Sequence, residues 1–168
     1  MFNHGNSQKR IYLDGEIYFL IGITGHQAQY VEKPIFWEMF LENLRMPQRL
    51  KDFKLYGWFL PAWMICSDGA YDHFYMLIKP NGEWNYSQVM FSIKKQFHHT
   101  FLQKYPYSHN IFHSKFKWQK SFHDHVVSDK QDFFNHLNSV RINPIKHDPP
   151  ENWHYRWIDQ GWENIDPP

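Results

Sequence analysis

Cysteine is almost missing from this chain: Cys66 stands alone among 168 residues. One thiol permits no internal disulfide, which excludes a disulfide-built scaffold and fits a reducing compartment. An excess of charge of one sign is missing too, since 18 Lys and Arg face 17 Asp and Glu for a formal net charge of +1. That is not the broad basic footprint of a nucleic-acid binder, so any such role has to rest on local patches. The twelve His can add positive charge only below neutral pH. No apolar run approaches the roughly 20 residues that a membrane span requires. The opening "MFNHGNSQKR" is polar and lacks the apolar centre of a secretory leader. A cytoplasmic protein with no membrane partner is the expectation. The chain also lacks internal repeats and low-complexity segments.

What it has in quantity is aromatic side chains. They make up 20% of the residues, with eight Trp and fifteen Phe, inside a hydrophobic share of 42%. That is ample material for one core, and the length suits one domain.

Periodicity and punctuation give an order of elements. "RIYLDGEIYFLIGITGH" (10–26) reads as a strand. In "KPIFWEMFLENLRM", Pro34 suits a first helical turn and Ile35, Met39 and Phe40 share a face, with Pro47 ending the helix. "KLYGWFLPAWMI" (54–65) is a second strand in which Pro61 suggests an edge or a bulge. "CSDGAYD" is a turn-rich link to a third strand, "HFYMLI", so 54–78 forms a hairpin. Ser87 then caps a helix that repeats Val89, Ile93, Phe97 and Phe101 up to Pro106. "SFHDHVV" is a fourth strand, and Ser128 with Gln131 makes a capping box for a last helix carrying Phe133, Leu137 and Val140, ending at Asn143-Pro144. The order matches a ferredoxin-like split βαβ fold of the α+β class: a mainly antiparallel sheet with an additional C-terminal helix. We place the domain at residues 1–148 and a Pro- and Trp-rich tail, packed on it, at 149–168.

Two places carry chemistry. His73 opens the third strand, and Tyr75 stands two residues on, on the same face. A histidine at 75 would complete a His-x-His pair suited to a metal ion. On the last helix, His136, Ser139 and Asn143 form a polar stripe at spacings of three and four. A nucleophile and a metal ligand one turn apart, facing a His-x-His strand, would make a metal-assisted phosphoryl-transfer site. Here the stripe presents a serine.

The segments "HFYMLIKP", "FSIKKQFHHTF" and "KWQKSFHDHVVSDKQDFFNHLNSVRINPIKHDPPENWHYRW", with the opening strand, resemble the REP-associated branch of the single-tyrosine HUH transposases. "HLNSVRINPIKHD" is the most specific portion, similar to that family's His-Leu-Asp-Tyr-Ile-x-x-Asn-Pro-Val-Lys-His-Gly. The resemblance implies an HUH transposase-like, ferredoxin-like core that recognises hairpins of palindromic repeats as single strands. It implies a tyrosine nucleophile that joins the DNA covalently, and a divalent Mg²⁺ or Mn²⁺. Carried over by position, His73 falls on the first metal histidine and Asn143 on the amide that completes the site. Tyr75 takes the place of the second histidine, and Ser139 that of the catalytic tyrosine. A phenol with a pKa of about 10 is a poor Mg²⁺ ligand, and a serine hydroxyl falls an entire ring short of a tyrosine's reach. The resemblance therefore implies a degenerate site.

Other groups have plainer readings. The "HDH" at 123–125 is a second His-x-His, whose Asp-His portion is a family feature outside the metal pair, so a structural or DNA-proximal role is favoured. His98 and His99 cannot share a helix face. Lys94, Lys95, Lys115, Lys117, Trp118, Lys120 and Arg141 are the best basic and aromatic groupings for phosphates and unpaired bases.

The expected function is recognition of structured single-stranded, hairpin DNA by a transposase-like protein that no longer cleaves it. No cofactor is expected, with Mg²⁺ or Mn²⁺ needed only where activity survives. A protein partner, such as an active transposase relative, fits the same picture. One alternative is a metal-dependent single-strand endonuclease with a rearranged site using Tyr71 or Tyr75. The other is a protein-interaction module indifferent to DNA.

Overall fold

The strands "KLYGWF" and "HFYMLIK" carry apolar residues on both sides, and the sheet they join is covered on both faces. A computed structural model describes residues 10–24, 34–60, 73–106, 116–146 and 156–161. In chain order the elements are β1 (Tyr18–Ile23), α1 (Pro34–Lys51), β2 (Lys54–Phe59), β3 (His73–Lys79), α2 (Tyr86–Lys104), β4 (His123–Val126), α3 (Lys130–Lys146) and β5 (Arg156–Ile158). The sheet order is β4-β1-β3-β2-β5, with every neighbouring pair antiparallel. This is the expected α+β, split βαβ arrangement with a third helix and one further edge strand.

Register sorts the side chains. β1 pairs Gly22 with Phe74, Leu20 with Met76 and Tyr18 with Ile78 on β3, and these residues face α1 and α2. There they join Phe36, Phe40, Phe97, Phe101 and Phe116 in a dense aromatic core. The alternate residues, Phe19 with Leu77 and Ile21 with Tyr75, face the other way, toward Phe133, Leu137 and Val140 of α3. A shift of register between Leu55 and Gly57 turns both Tyr56 and Phe59 of β2 toward that second side.

Several boundaries differ from expectation. β1 starts only at Tyr18, because a turn at Asp14-Gly15, with Gly15 at φ +77°, interrupts the run. The Tyr18 hydroxyl ties that turn down, accepting from the Leu13 N–H at 2.7 Å and donating to its carbonyl at 2.9 Å. Pro47 lies inside α1, not at its end. The turn that carries it lines a surface hollow together with Ser92, Lys95, Gln96 and His99 of α2. Buried Asn43, four residues earlier, donates to the Met39 carbonyl and accepts from the Thr100 hydroxyl. Asn85, not Ser87, caps α2, in a reciprocal box with Gln88. On α3 the capping oxygen comes from Asp129, which accepts the Asp132 N–H at 2.8 Å, one residue later than the Ser128 box. The helix also continues past Asn143-Pro144 to Lys146. β5 comes from the segment read as a tail, and its three residues pair with Gly57, Trp58 and Phe59.

Candidate functional site

The face of the sheet under α3 collects the polar residues. His73 and Tyr75 are neighbours on it, because residues two apart on a strand share a side. The Tyr75 hydroxyl and His73 Nε2 are hydrogen-bonded at 2.8 Å, so the nitrogen that a metal would need is engaged by the phenol. The Tyr75 ring lies parallel to Phe19 and Phe59, with centroids 5.6 and 6.2 Å away, and is half-buried between them. One imidazole and one neutral phenol do not fit a hard divalent ion, which demands several oxygen ligands.

On α3, Phe133, Leu137 and Val140 point into the sheet, which leaves Ser139 exposed. Its hydroxyl donates to the Asn135 carbonyl one turn back at 2.9 Å, an ordinary use of a mid-helix serine. Asn143 lies in the same helix, with its side chain outside the described residues. Lys115 and Tyr71 lie outside them altogether.

The basic and aromatic candidates are scattered. The Lys94 ammonium is largely buried and donates to the Gln119 and Ser121 carbonyls at 3.1 and 3.3 Å. Burial, helped by the nearby charge of Arg10, lowers its pKa to about 8. Lys94 therefore braces the connection into β4. Trp118 is committed as well: its ring meets Phe40, Phe74, Phe97 and Phe116, and its indole N–H donates to the Lys94 carbonyl at 3.1 Å. Trp118 sits at the rim of the aromatic core beneath α2, and its bond to the Lys94 carbonyl holds the two residues together. Lys95, Lys117 and Lys120 remain exposed. Arg141 is exposed on the other side of the sheet, lining a hollow of about 520 Å³ between α3 and β5 with Asn138 and Gln160.

A constellation that the sequence reading passed over sits at the β4 edge. His125 pairs in register with Phe19, and α3 places Asp132 and His136 one turn apart above it. His125 Nε2 lies 2.8 Å from Asp132 Oδ2, and His136 Nε2 lies 3.2 Å from Oδ1. The His136 ring stacks on Phe19 with centroids 4.2 Å apart. Burial lowers the His136 pKa against the opposing pull of Asp132, which leaves a neutral imidazole at pH 7. Burial would raise the Asp132 carboxyl, but the Ser128 amide and the two histidines outweigh it and hold it below the usual carboxylate range. The available signal was the i, i+4 pair Asp132 and His136 next to "HDH". Only the pairing of β1 with β4 joins them.

No protein-family model matches the chain. It is 26% identical over 141 residues to the REP-associated tyrosine transposase of Escherichia coli, covering 83% of this chain and 72% of that protein. It is 32% identical over 81 residues to a Haemophilus influenzae protein provisionally named a REP-associated tyrosine transposase, covering 45% of this chain and a little under half, 46%, of the relative. A solved structure of a REP-associated tyrosine transposase bound to a REP hairpin superposes with a TM-score of 0.68 at 20% identity, over 90% of this chain and 81% of that one. That likeness is one of fold.

Proposed function

Because this chain is a homologue of the REP-associated tyrosine transposases, we propose that it binds hairpin-forming single-stranded DNA and has lost strand cleavage. The observation that carries the loss is at α3, where the helix that should present a tyrosine presents Ser139 with its hydroxyl turned back on the Asn135 carbonyl. The engaged nitrogen of His73 supports it. In this reading residues 1–148 form the transposase-like domain, and 149–168 form a tail that lends a strand to its sheet. Lys95, Lys117, Lys120 and Arg141 supply phosphate contacts; Lys94 and Trp118 hold the scaffold. Asn143 and His73 are relics of a metal site. The chain would serve as a DNA-binding regulator or as a partner to an active relative.

Fluorescence anisotropy with a hairpin, its unstructured counterpart and a duplex, over a salt series with and without Mn²⁺, tests this. The same samples go onto a denaturing gel. Hairpin-selective, salt-sensitive binding with no cleaved product is expected. Each lysine that contacts a phosphate should lower the salt slope by about 0.7 when replaced by alanine. Binding to none of the three DNAs would sink the proposal in favour of a protein-interaction module. The double variant Tyr75→His, Ser139→Tyr restores the family's residue types and should recover metal-dependent nicking if only those two positions were lost.

A second reading is favoured by the bond between His73 and Tyr75 itself. An imidazole that can take a phenolic proton is the pairing an activated tyrosine nucleophile requires. A covalent protein–DNA adduct that disappears in Tyr75→Phe would establish it and overturn the loss of cleavage.

A further inference from the structure

The geometry points to a second metal site, for a borderline transition ion such as Zn²⁺, made by His125, Asp132 and His136 at the edge of the sheet. Each residue offers one ligand atom, and these atoms all lie within 4.8 Å of one another. Tetrahedral zinc, with bonds of roughly 2.0–2.1 Å, needs donor atoms about 3.3 Å apart. His136 Nε2 already lies near that value, 3.2 Å from Asp132 Oδ1, while His125 Nε2 lies 2.8 Å from the other carboxylate oxygen, Oδ2. The remaining separations, all within 4.8 Å, close by a swing of His125 from Oδ2 toward Oδ1, and its side chain is 50% exposed on an edge strand. Two imidazoles and one carboxylate select zinc-like ions over Mg²⁺, which prefers six oxygens. Solvent supplies the fourth ligand.

The surroundings are those of a held site. Asp132 Oδ2 accepts from the Ser128 N–H at 2.9 Å and from its hydroxyl at 3.2 Å, which orients the carboxylate and leaves Oδ1 toward His136. Such outer partners fix a metal's ligands before it arrives. Phe19 does the same for His136 by stacking on its ring, and backbone pairing sets His125 opposite Phe19. The site draws on neither His73 nor Asn143, so it does not depend on whether the family's metal pair survives. An ion here would staple β4 to the first turn of α3. The bland alternative is that Asp132 only bonds the Ser128 amide and pairs with the two histidines.

Calorimetric titration of the full chain with ZnCl₂ separates the two, backed by Co²⁺, whose visible bands intensify on four-coordinate binding. One equivalent is expected, with a rise in melting temperature at saturation. His125→Ala and Asp132→Asn should each abolish the stoichiometric step, while His73→Ala should keep it. Because His125 is exposed at an edge, its variant should keep the wild-type circular dichroism. Ser128→Ala should weaken binding about tenfold. The inference is overturned if wild type shows no stoichiometric step, if the step survives both His125→Ala and Asp132→Asn, or if His73→Ala removes it. Hairpin binding, measured separately, succeeds or fails independently of this result.

Discussion

The two faces of the sheet are built to different ends. Beneath α1 and α2, β1 and β3 present Tyr18, Leu20, Phe74, Met76 and Ile78 to a layer of phenylalanines, and even the tryptophan at the rim is drawn in. Beneath α3 the apolar centre is smaller, and around it β3 carries His73 and Tyr75, with His125 on β4. The aromatic face holds the larger buried cluster, and the other face combines a smaller one with the polar groups at its margin.

That contrast can be broken experimentally. Phe97→Ala, in the middle of the aromatic layer, should cost about 3–5 kcal/mol in urea unfolding. A loss below 1 kcal/mol would show that the layer is loosely packed. Gly22→Ala should cost about 1–3 kcal/mol, as overpacking does. A Cβ there would lie 2.2 Å from the Phe74 ring, its register partner, so only glycine permits the close approach.

Lys94 offers a pH test on the same side. Its folded pKa of about 8 lies below the ordinary 10.5, so between those values the unfolded chain binds more protons than the native one. Stability attributable to Lys94 therefore rises with pH across that window, and the rise should vanish in Lys94→Met. Identical slopes for the two proteins would mean that Lys94 is better solvated than its position implies. The smallest effect belongs to the other face: Ser139→Ala should change stability by less than about 0.5 kcal/mol. A larger loss would mean that the serine does more than bond its own helix.

Much of this was legible beforehand because it is local. The spacing of Val89, Ile93, Phe97 and Phe101 declares α2, and the alternation in "HFYMLI" declares β3. Caps were legible to within a residue or two: Asn85 and Asp129 took the work from Ser87 and Ser128 because neighbouring polar side chains compete for the same amides. β5 was not legible, since three residues carry no period and their partner β2 is about a hundred positions away. Lys94 and Trp118 read as a basic and aromatic patch, and nothing near them in sequence reveals the carbonyls and rings that occupy them.

By itself the sequence determined most of the elements and the resemblance to the REP-associated transposases, since residue types and spacings are written in the chain. Tertiary structure alone decided which polar groups meet. It took the Tyr75 hydroxyl to His73, turned Trp118 inward, and closed His125, Asp132 and His136 into one cluster. Strand register and helix packing join residues that periodicity can only place on a face, and a face does not specify a neighbour.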